Sequence, residues 1–109
     1  MNLAVDVAEQ TGVSTVSLSG EVDAYTAPDL KAKLLPLTRF EGHTVNVDLK
    51  DVTYMDSTGL GVFISALKST KEHDSKLKLM NIQDRVLRLF KITGLDEIMD
   101  VAGIRGGNA

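Results

Sequence analysis

The segment YMDSTGLGVF combines side chains that could do chemistry with a backbone that could be approached closely. A carboxylate and two hydroxyls are followed by two glycines: Asp56, Ser57, Thr58, Gly59 and Gly61. Glycine in a helix costs about 0.8–1 kcal/mol relative to alanine. The segment therefore indicates either a site that another surface approaches, with the glycines keeping access to Ser57 open, or an ordinary capped helix start. Asp56 and Ser57 are both good N-caps, and the sequence leaves the choice open.

Catalysis by Ser57 is not supported by its surroundings in the sequence. A hydrolase elbow requires G-x-S-x-G, and Met55 occupies the first glycine position. A nucleophilic serine also needs a histidine base within about 3 Å. The predicted strand after His43 spans about 17 Å, and His73 lies roughly 22 Å along the predicted helix. We therefore predict that the protein is not an enzyme and that both histidines are surface residues.

Other site chemistries are weaker still. A phosphate-binding P-loop requires a lysine after its last glycine, and none follows Gly59 or Gly61. A nucleotide-binding module or weak NTPase that uses the Gly-rich helix start remains the alternative. The chain has no cysteine, and its two histidines belong to no cluster with metal-ligand spacing. No metal and no cofactor are expected.

A hydroxyl that needs no base of its own is one that another protein modifies. Phosphorylation of Ser57 would add about −1.5 to −2 charges. The positive end of the helix dipole would partly stabilise that charge, whereas Asp56 would oppose it. A like charge about 7 Å away costs on the order of 2 kcal/mol per charge pair. Such a modification could switch partner binding without a large conformational change.

The elements that must position this segment follow from hydrophobic periodicity and helix-end signals. Alternation predicts strands at 3–8, 13–19, 45–49 and 77–80. Helices are predicted from an N-cap at Thr26, from residues 56–57 and from Asp84. Pro36 should end the first near Leu35, the second should reach 72–73, and Gly94 should stop the third. EIMDV is either a last short strand or a frayed helix. Met55, Phe63 and the cluster of Leu87, Leu89 and Phe90 are predicted to be core.

Composition limits the remaining classes. The 109 residues form one domain, 1–109, with an expected flexible tail at about 102–109. The net charge is −3 and no basic stripe is present, so direct nucleic-acid binding is not expected. The N-terminus lacks signal-peptide features, and no apolar run approaches the ~20 residues of a membrane span. We therefore expect a cytoplasmic protein without membrane contact.

Three stretches carry a family resemblance across nearly the whole chain. GEVDAYTAP, VDLKDVTYMDSTGLGVF and LKLMNIQDRVLRLFKITGLDEIMDV resemble the STAS-domain anti-sigma factor antagonists, and above all those of the Gram-positive general-stress sigma factor. The resemblance implies an α/β fold with a mixed four- to five-stranded β-sheet packed with three to four α-helices. The chain departs from the family at AGIRGGNA, which is short and Gly-rich, so a full final helix is in question.

The resemblance also implies a partner-switching cycle. The unphosphorylated protein would bind an anti-sigma factor serine kinase and so release the sigma factor to activate stress-response transcription. That kinase would phosphorylate Ser57, with Thr58 as a minor acceptor, and a PP2C-type phosphatase would restore the binding form. The implied partner-binding residues are Glu21, Asp23, Tyr25, Thr26, Asp56, Thr58, Gly59, Gly61 and Val62. A STAS scaffold within a larger stress-sensing assembly is a further possibility that shares the fold.

Overall fold

The computed structural model describes residues 2–101. Four strands and three α-helices follow one another in the predicted order: β1 Leu3–Gln10, β2 Val13–Val22, α1 Ala27–Leu34, β3 Thr44–Met55, α2 Ser57–His73, β4 Lys76–Met80 and α3 Asp84–Thr93. Two 3₁₀ segments, Leu35–Arg39 and Leu95–Glu97, complete the regular structure. The predicted flexible tail at 102–109 lies outside the described residues.

The four strands form one mixed sheet in the order β1-β2-β3-β4. β1 and β2 are antiparallel and joined by a tight turn at Gly12, whose φ of 78° favours glycine. β2, β3 and β4 run parallel, so α1 and α2 serve as the crossover connections between them. The predicted mixed sheet with three helices is confirmed.

The core lies between the sheet and the helices. Val45, Val47 and Leu49 of β3 are fully buried. Phe63 of α2 and Phe90 of α3 are also fully buried, with ring centroids 6.3 Å apart. Met55 and Leu87 are buried as well, while Leu89 is partly buried against the same cluster. The predicted core assignments are therefore confirmed.

Strand β3 runs six residues beyond its predicted end at Leu49, because two irregularities hide the continuation. Its buried side chains are spaced by two up to Leu49 and then by three, at Val52 and Met55. Register shifts against β2 lie between Ser17 and Ser19 and between Gly20 and Glu21. At each shift β3 carries one residue more than β2, as in a β-bulge. The alternation that identifies a strand in a sequence is therefore lost.

Helix ends follow the expected signals with two differences. α1 stops at Leu34, before Pro36, but the chain continues as a 3₁₀ turn in which the proline is tolerated near the start. α3 ends at Thr93, and Gly94 stops the helix as predicted, as a C-cap in the left-handed conformation. EIMDV forms neither a helix nor a full strand. A 3₁₀ turn leads to Asp100, which bridges to Lys78 of β4.

The prediction that both histidines are surface residues is wrong. His43 is half-buried, with Nε2 2.7 Å from Oγ of the fully buried Ser14. His73 is also half-buried, with Nδ1 2.8 Å from the carbonyl oxygen of Ser69. Both rings are engaged in hydrogen bonds that connect secondary-structure elements or close a helix end.

Candidate functional site: the corner between β2, β3 and α2

The candidate site lies where two parallel strands end side by side. Glu21 of β2 pairs with Tyr54 of β3, and Val22 pairs with Met55. The backbone N–H of Asp56 donates to the carbonyl oxygen of Val22 at 3.2 Å, which ties the start of α2 to the end of β2. The parallel register thus brings the chain after β2 and the chain after β3 to one corner.

Asp56, and not Ser57, caps α2. Its backbone is extended, with φ −112° and ψ −174°, and its Oδ1 accepts a hydrogen bond from the N–H of Gly59 at 3.0 Å. Ser57 is the first residue of the helix and is exposed. Within residues 2–101, its hydroxyl makes no hydrogen bond. The choice that the sequence left open is settled, and Ser57 has a free hydroxyl.

Substitution of the two candidate caps should separate their roles. We expect Asp56→Ala to lower the free energy of unfolding by about 1 kcal/mol, because an N–H of the first turn loses its acceptor. Ser57→Ala should change it by less than about 0.5 kcal/mol, as an exposed substitution away from such features does. Urea denaturation of both variants measures the difference. Equal losses for the two would contradict the assignment of the cap.

The two glycines of α2 have different surroundings. Gly59 is buried, and a Cβ built on it would lie 2.6 Å from Cγ1 and 2.7 Å from the carbonyl oxygen of Val22. Gly61 is half-buried, and a Cβ on it would meet no atom of the described residues within 4 Å. The prediction that both glycines keep access to Ser57 open is therefore wrong for Gly59, which lets the helix pack against β2.

The loop after β2 is held by a reciprocal pair of side-chain hydrogen bonds. Oδ1 of Asp23 accepts from the N–H groups of Tyr25 and Thr26 at 2.9 and 3.0 Å. Oγ1 of Thr26 accepts from the N–H of Asp23 at 2.9 Å and donates to the carbonyl oxygen of Glu21 at 2.8 Å. This is the arrangement of a capping box. Thr26 is the N-cap residue of α1, as predicted, but its side chain does not cap the helix. Instead, the carboxylate of Asp23 accepts the hydrogen bond from the backbone N–H of Thr26.

Two carboxylate oxygens at this corner are buried without a hydrogen-bond donor from the described part of the chain. They are Oδ2 of Asp23 and Oε1 of Glu21. Asp23 is only 5% exposed. Burial of a polar atom without a partner costs on the order of 1–3 kcal/mol. The corner therefore contains two buried acceptors whose loss of water is not compensated by a hydrogen bond within residues 2–101.

Two concavities flank the start of α2. The first, the acidic pocket, has a volume of about 190 Å³ and is lined by Asp23, Ala24, Tyr25, Tyr54 and Asp56. The second, the helix groove, has a volume of about 300 Å³ and separates α1 from α2. It is lined by Ala24, Ala27, Pro28, Lys31, Thr58, Gly61, Val62 and Ser65. Ala24 borders both, so the two concavities adjoin.

The structure brings all the predicted site residues to this corner, but only some of them are accessible to solvent. The exposed or half-buried ones are Glu21, Tyr25, Asp56, Ser57, Thr58 and Gly61, and the buried ones are Asp23, Thr26, Gly59 and Val62. Tyr25 is 84% exposed. Sequence reasoning missed Ala24, Tyr54 and Lys31. Tyr54 directly precedes the MDSTG segment, and this adjacency was the available signal.

Comparison with known proteins identifies the fold family. The STAS domain family model matches residues 4–105. The chain belongs to the STAS domain family. This STAS domain is 47% identical over 102 residues to the anti-sigma-B factor antagonist of Bacillus subtilis, covering 94% of this chain and 93% of that protein. It is 43% identical over 107 residues to the anti-sigma-B factor antagonist of Listeria monocytogenes, covering 97% and 94%.

A solved structure supports the same assignment. An anti-sigma factor antagonist from Mycobacterium paratuberculosis superposes with a TM-score of 0.75 at 27% identity, covering 90% of this chain and 83% of that one. The family resemblance inferred from the sequence is thus confirmed. The relatives are antagonists, that is, regulatory binding proteins and not enzymes, in agreement with the prediction for this STAS domain.

Two further observations concern only residues 2–101. No group of three or more histidine, cysteine, aspartate or glutamate side chains in this range is placed to hold a metal ion. No helix in the same range has the length and apolar character needed to cross a membrane.

Proposed function

We propose that this STAS domain is a cytoplasmic anti-sigma factor antagonist controlled by phosphorylation of Ser57. In its unphosphorylated form it binds an anti-sigma factor that is also a serine kinase, and so frees a sigma factor to activate stress-response transcription. The kinase phosphorylates Ser57 and the complex dissociates. A PP2C-type phosphatase then removes the phosphoryl group. The antagonist names of the relatives support the first step.

The observation that carries the proposal is the free hydroxyl of Ser57. It is exposed at the first position of α2, while the neighbouring Asp56 performs the capping. A kinase can therefore reach this oxygen without unwinding the helix. The histidines are both engaged elsewhere, His43 with Ser14 and His73 with Ser69. This favours a serine that is a substrate of another protein over one that is a nucleophile here.

The proposed docking surface combines exposed contacts with buried supports. The side chains that can touch a partner directly are Tyr25, Asp56, Ser57, Thr58 and the edge of Glu21, with the backbone of Gly61. Hydrogen bonds of Asp23 fix the loop that carries Tyr25 and leads to Thr26. Gly59 lets α2 pack closely against β2, and Val62 is a buried residue of the same helix. As far as residues 2–101 line it, the acidic pocket includes two carboxylates and two tyrosine rings but no cation. A basic side chain of the partner would complement it.

The switch follows from charge. A phosphoryl group on Ser57 adds about −1.5 to −2 charges beside a pocket that already contains Asp23 and Asp56. The N-terminal end of α2 stabilises the phosphate within the free protein. In a complex, however, the same charge would lose its water against a surface that fits an uncharged hydroxyl, and burial of a charge without a matched partner costs several kcal/mol.

Mass spectrometry after incubation with the cognate anti-sigma kinase and ATP tests the proposal. We expect a single phosphoryl group on Ser57, with at most a minor fraction on Thr58, which is also exposed. Ser57→Ala should bind the kinase but not be inactivated, and Thr58→Ala should be modified as the wild type is. Full modification of Ser57→Ala would contradict the site. ATP turnover by the purified protein alone would favour a nucleotide-binding module instead.

A further inference from the structure

The helix groove has an apolar floor and a polar rim. Ala27 and Val62 are buried at its base, and Gly61 contributes bare backbone. Thr58 stands at the end nearest Ser57, and Lys31 stands at the wall formed by α1. The groove therefore runs from the phosphorylation site along two neighbouring helices.

Gly61 has no explanation within the fold. It lies within the first two turns of α2, where glycine lowers helix stability relative to alanine. An added Cβ would have no neighbour within 4 Å among residues 2–101, in contrast to a Cβ added at Gly59. Its φ is not in the left-handed region, so its backbone would accept any side chain. A residue that lowers stability without an internal reason points to an external one.

We propose that the helix groove receives an apolar side chain of the anti-sigma factor, and that a carboxylate of the same partner pairs with Lys31. This inference rests on the proposed function and names the partner chemistry at one part of its docking surface. The bare backbone of Gly61 is what leaves the groove deep enough for the inserted side chain. A side chain in a pocket of this kind is a typical hot spot of a protein interface.

The charges at the groove favour an acidic neighbour for the inserted group. Lys33, on the same helix, pairs with Asp29 at 3.3 Å. Lys31 is exposed, and no salt bridge within residues 2–101 involves it. Among residues 2–101, it is also the only charged residue that lines the groove. The partner should therefore present an apolar side chain next to a carboxylate. Its basic group, which we propose binds the acidic pocket, should lie on the opposite side of Ala24, because Ala24 borders both concavities.

Filling the groove provides the test. Gly61→Leu should weaken binding to the unphosphorylated anti-sigma kinase at least about 30-fold, measured by calorimetry. The matched control is Lys71→Leu, which adds the same side chain to an exposed position about 15 Å farther along α2. It should bind within twofold of the wild type. Lys31→Glu should cost about fivefold, and the control Lys33→Glu should cost less.

A direct observation completes the test. Isotope-filtered NMR of the complex should show contacts from the methyl groups of Ala24 and Ala27 to an apolar side chain of the partner. Wild-type affinity of Gly61→Leu, or a complex without those contacts, would overturn the inference. A wild-type protein that dimerises, with a monomeric Gly61→Leu variant, would assign the groove to a second copy and would also overturn it. Failure of the wild type to bind the kinase would instead contradict the proposed function.

Discussion

Replacing Gly59 by alanine is expected to lower the free energy of unfolding by about 2–3 kcal/mol, because the new methyl group overpacks a fixed contact. Its carbon would lie 2.7 Å from the carbonyl oxygen of Val22 and 3.1 Å from Cγ of Met55. The carbonyl belongs to the backbone of β2, so it cannot turn away as a side chain could. For a domain of this size the melting temperature should fall by roughly 10–20 °C. Thermal and urea denaturation measure both quantities.

Gly61→Ala is the matched control, since it makes the same change in the same helix two residues later. Its methyl group would meet no atom within 4 Å in the part of the chain that the structure describes, so only the gain in helix propensity remains. We expect an increase in stability of up to about 1 kcal/mol. Opposite signs for the two variants would establish that packing, and not helix propensity, requires glycine at position 59. Stabilisation by Gly59→Ala would refute the close packing of α2 on β2.

Phosphorylation of Ser57 is expected to weaken binding to the anti-sigma kinase at least about 100-fold, because about 3 kcal/mol of desolvation cost is introduced when the added charge is buried at the interface. Ser57→Asp carries one charge on a shorter side chain, so about a tenfold loss is expected. Calorimetry with the purified phosphorylated and unphosphorylated forms gives the first value.

Ser57→Asn distinguishes charge from size at this position. Asparagine has nearly the shape of aspartate but no charge, so its affinity should remain within about threefold of the wild type. An equal loss for Asn and Asp would mean that the interface rejects bulk. The circular dichroism spectra of all forms should coincide, because Asp56 retains the cap of α2 in each. A loss of helix signal on phosphorylation would point to a conformational switch instead.

The order of elements could be predicted from the sequence because periodicity is a local property. Leu60, Phe63, Ile64 and Leu67 recur at helical spacing, and the structure places all four against the core. The end of β3 could not be predicted. After Leu49 the two bulges change the spacing of buried residues from two to three, and no strand pattern remains. Those bulges depend on the pairing with β2, which the sequence of β3 alone does not contain.

The residues that make up the candidate site could also be predicted, but the structural role of each residue could not. Asp56 and Ser57 are both good caps, and only the hydrogen bond to Gly59 decides between them. Gly59 and Gly61 look alike in the sequence, and they differ only in whether Val22 lies opposite. Thr26 has the residue type of a helix cap, but its hydroxyl forms hydrogen bonds with the backbone of Asp23 and Glu21 in the preceding turn. Each distinction depends on a neighbour that tertiary structure supplies.

The cap at Asp56 has a consequence for how the protein can be recycled. The residue that holds the first turn and the residue that we propose carries the signal are adjacent but separate. We therefore expect the proposed phosphorylation to leave α2 anchored, so that both forms would share one fold. The phosphorylated protein would then be stored in a folded state, and hydrolysis of a single ester bond would restore the binding form. Its response time would be set by the proposed phosphatase, since no refolding step would intervene.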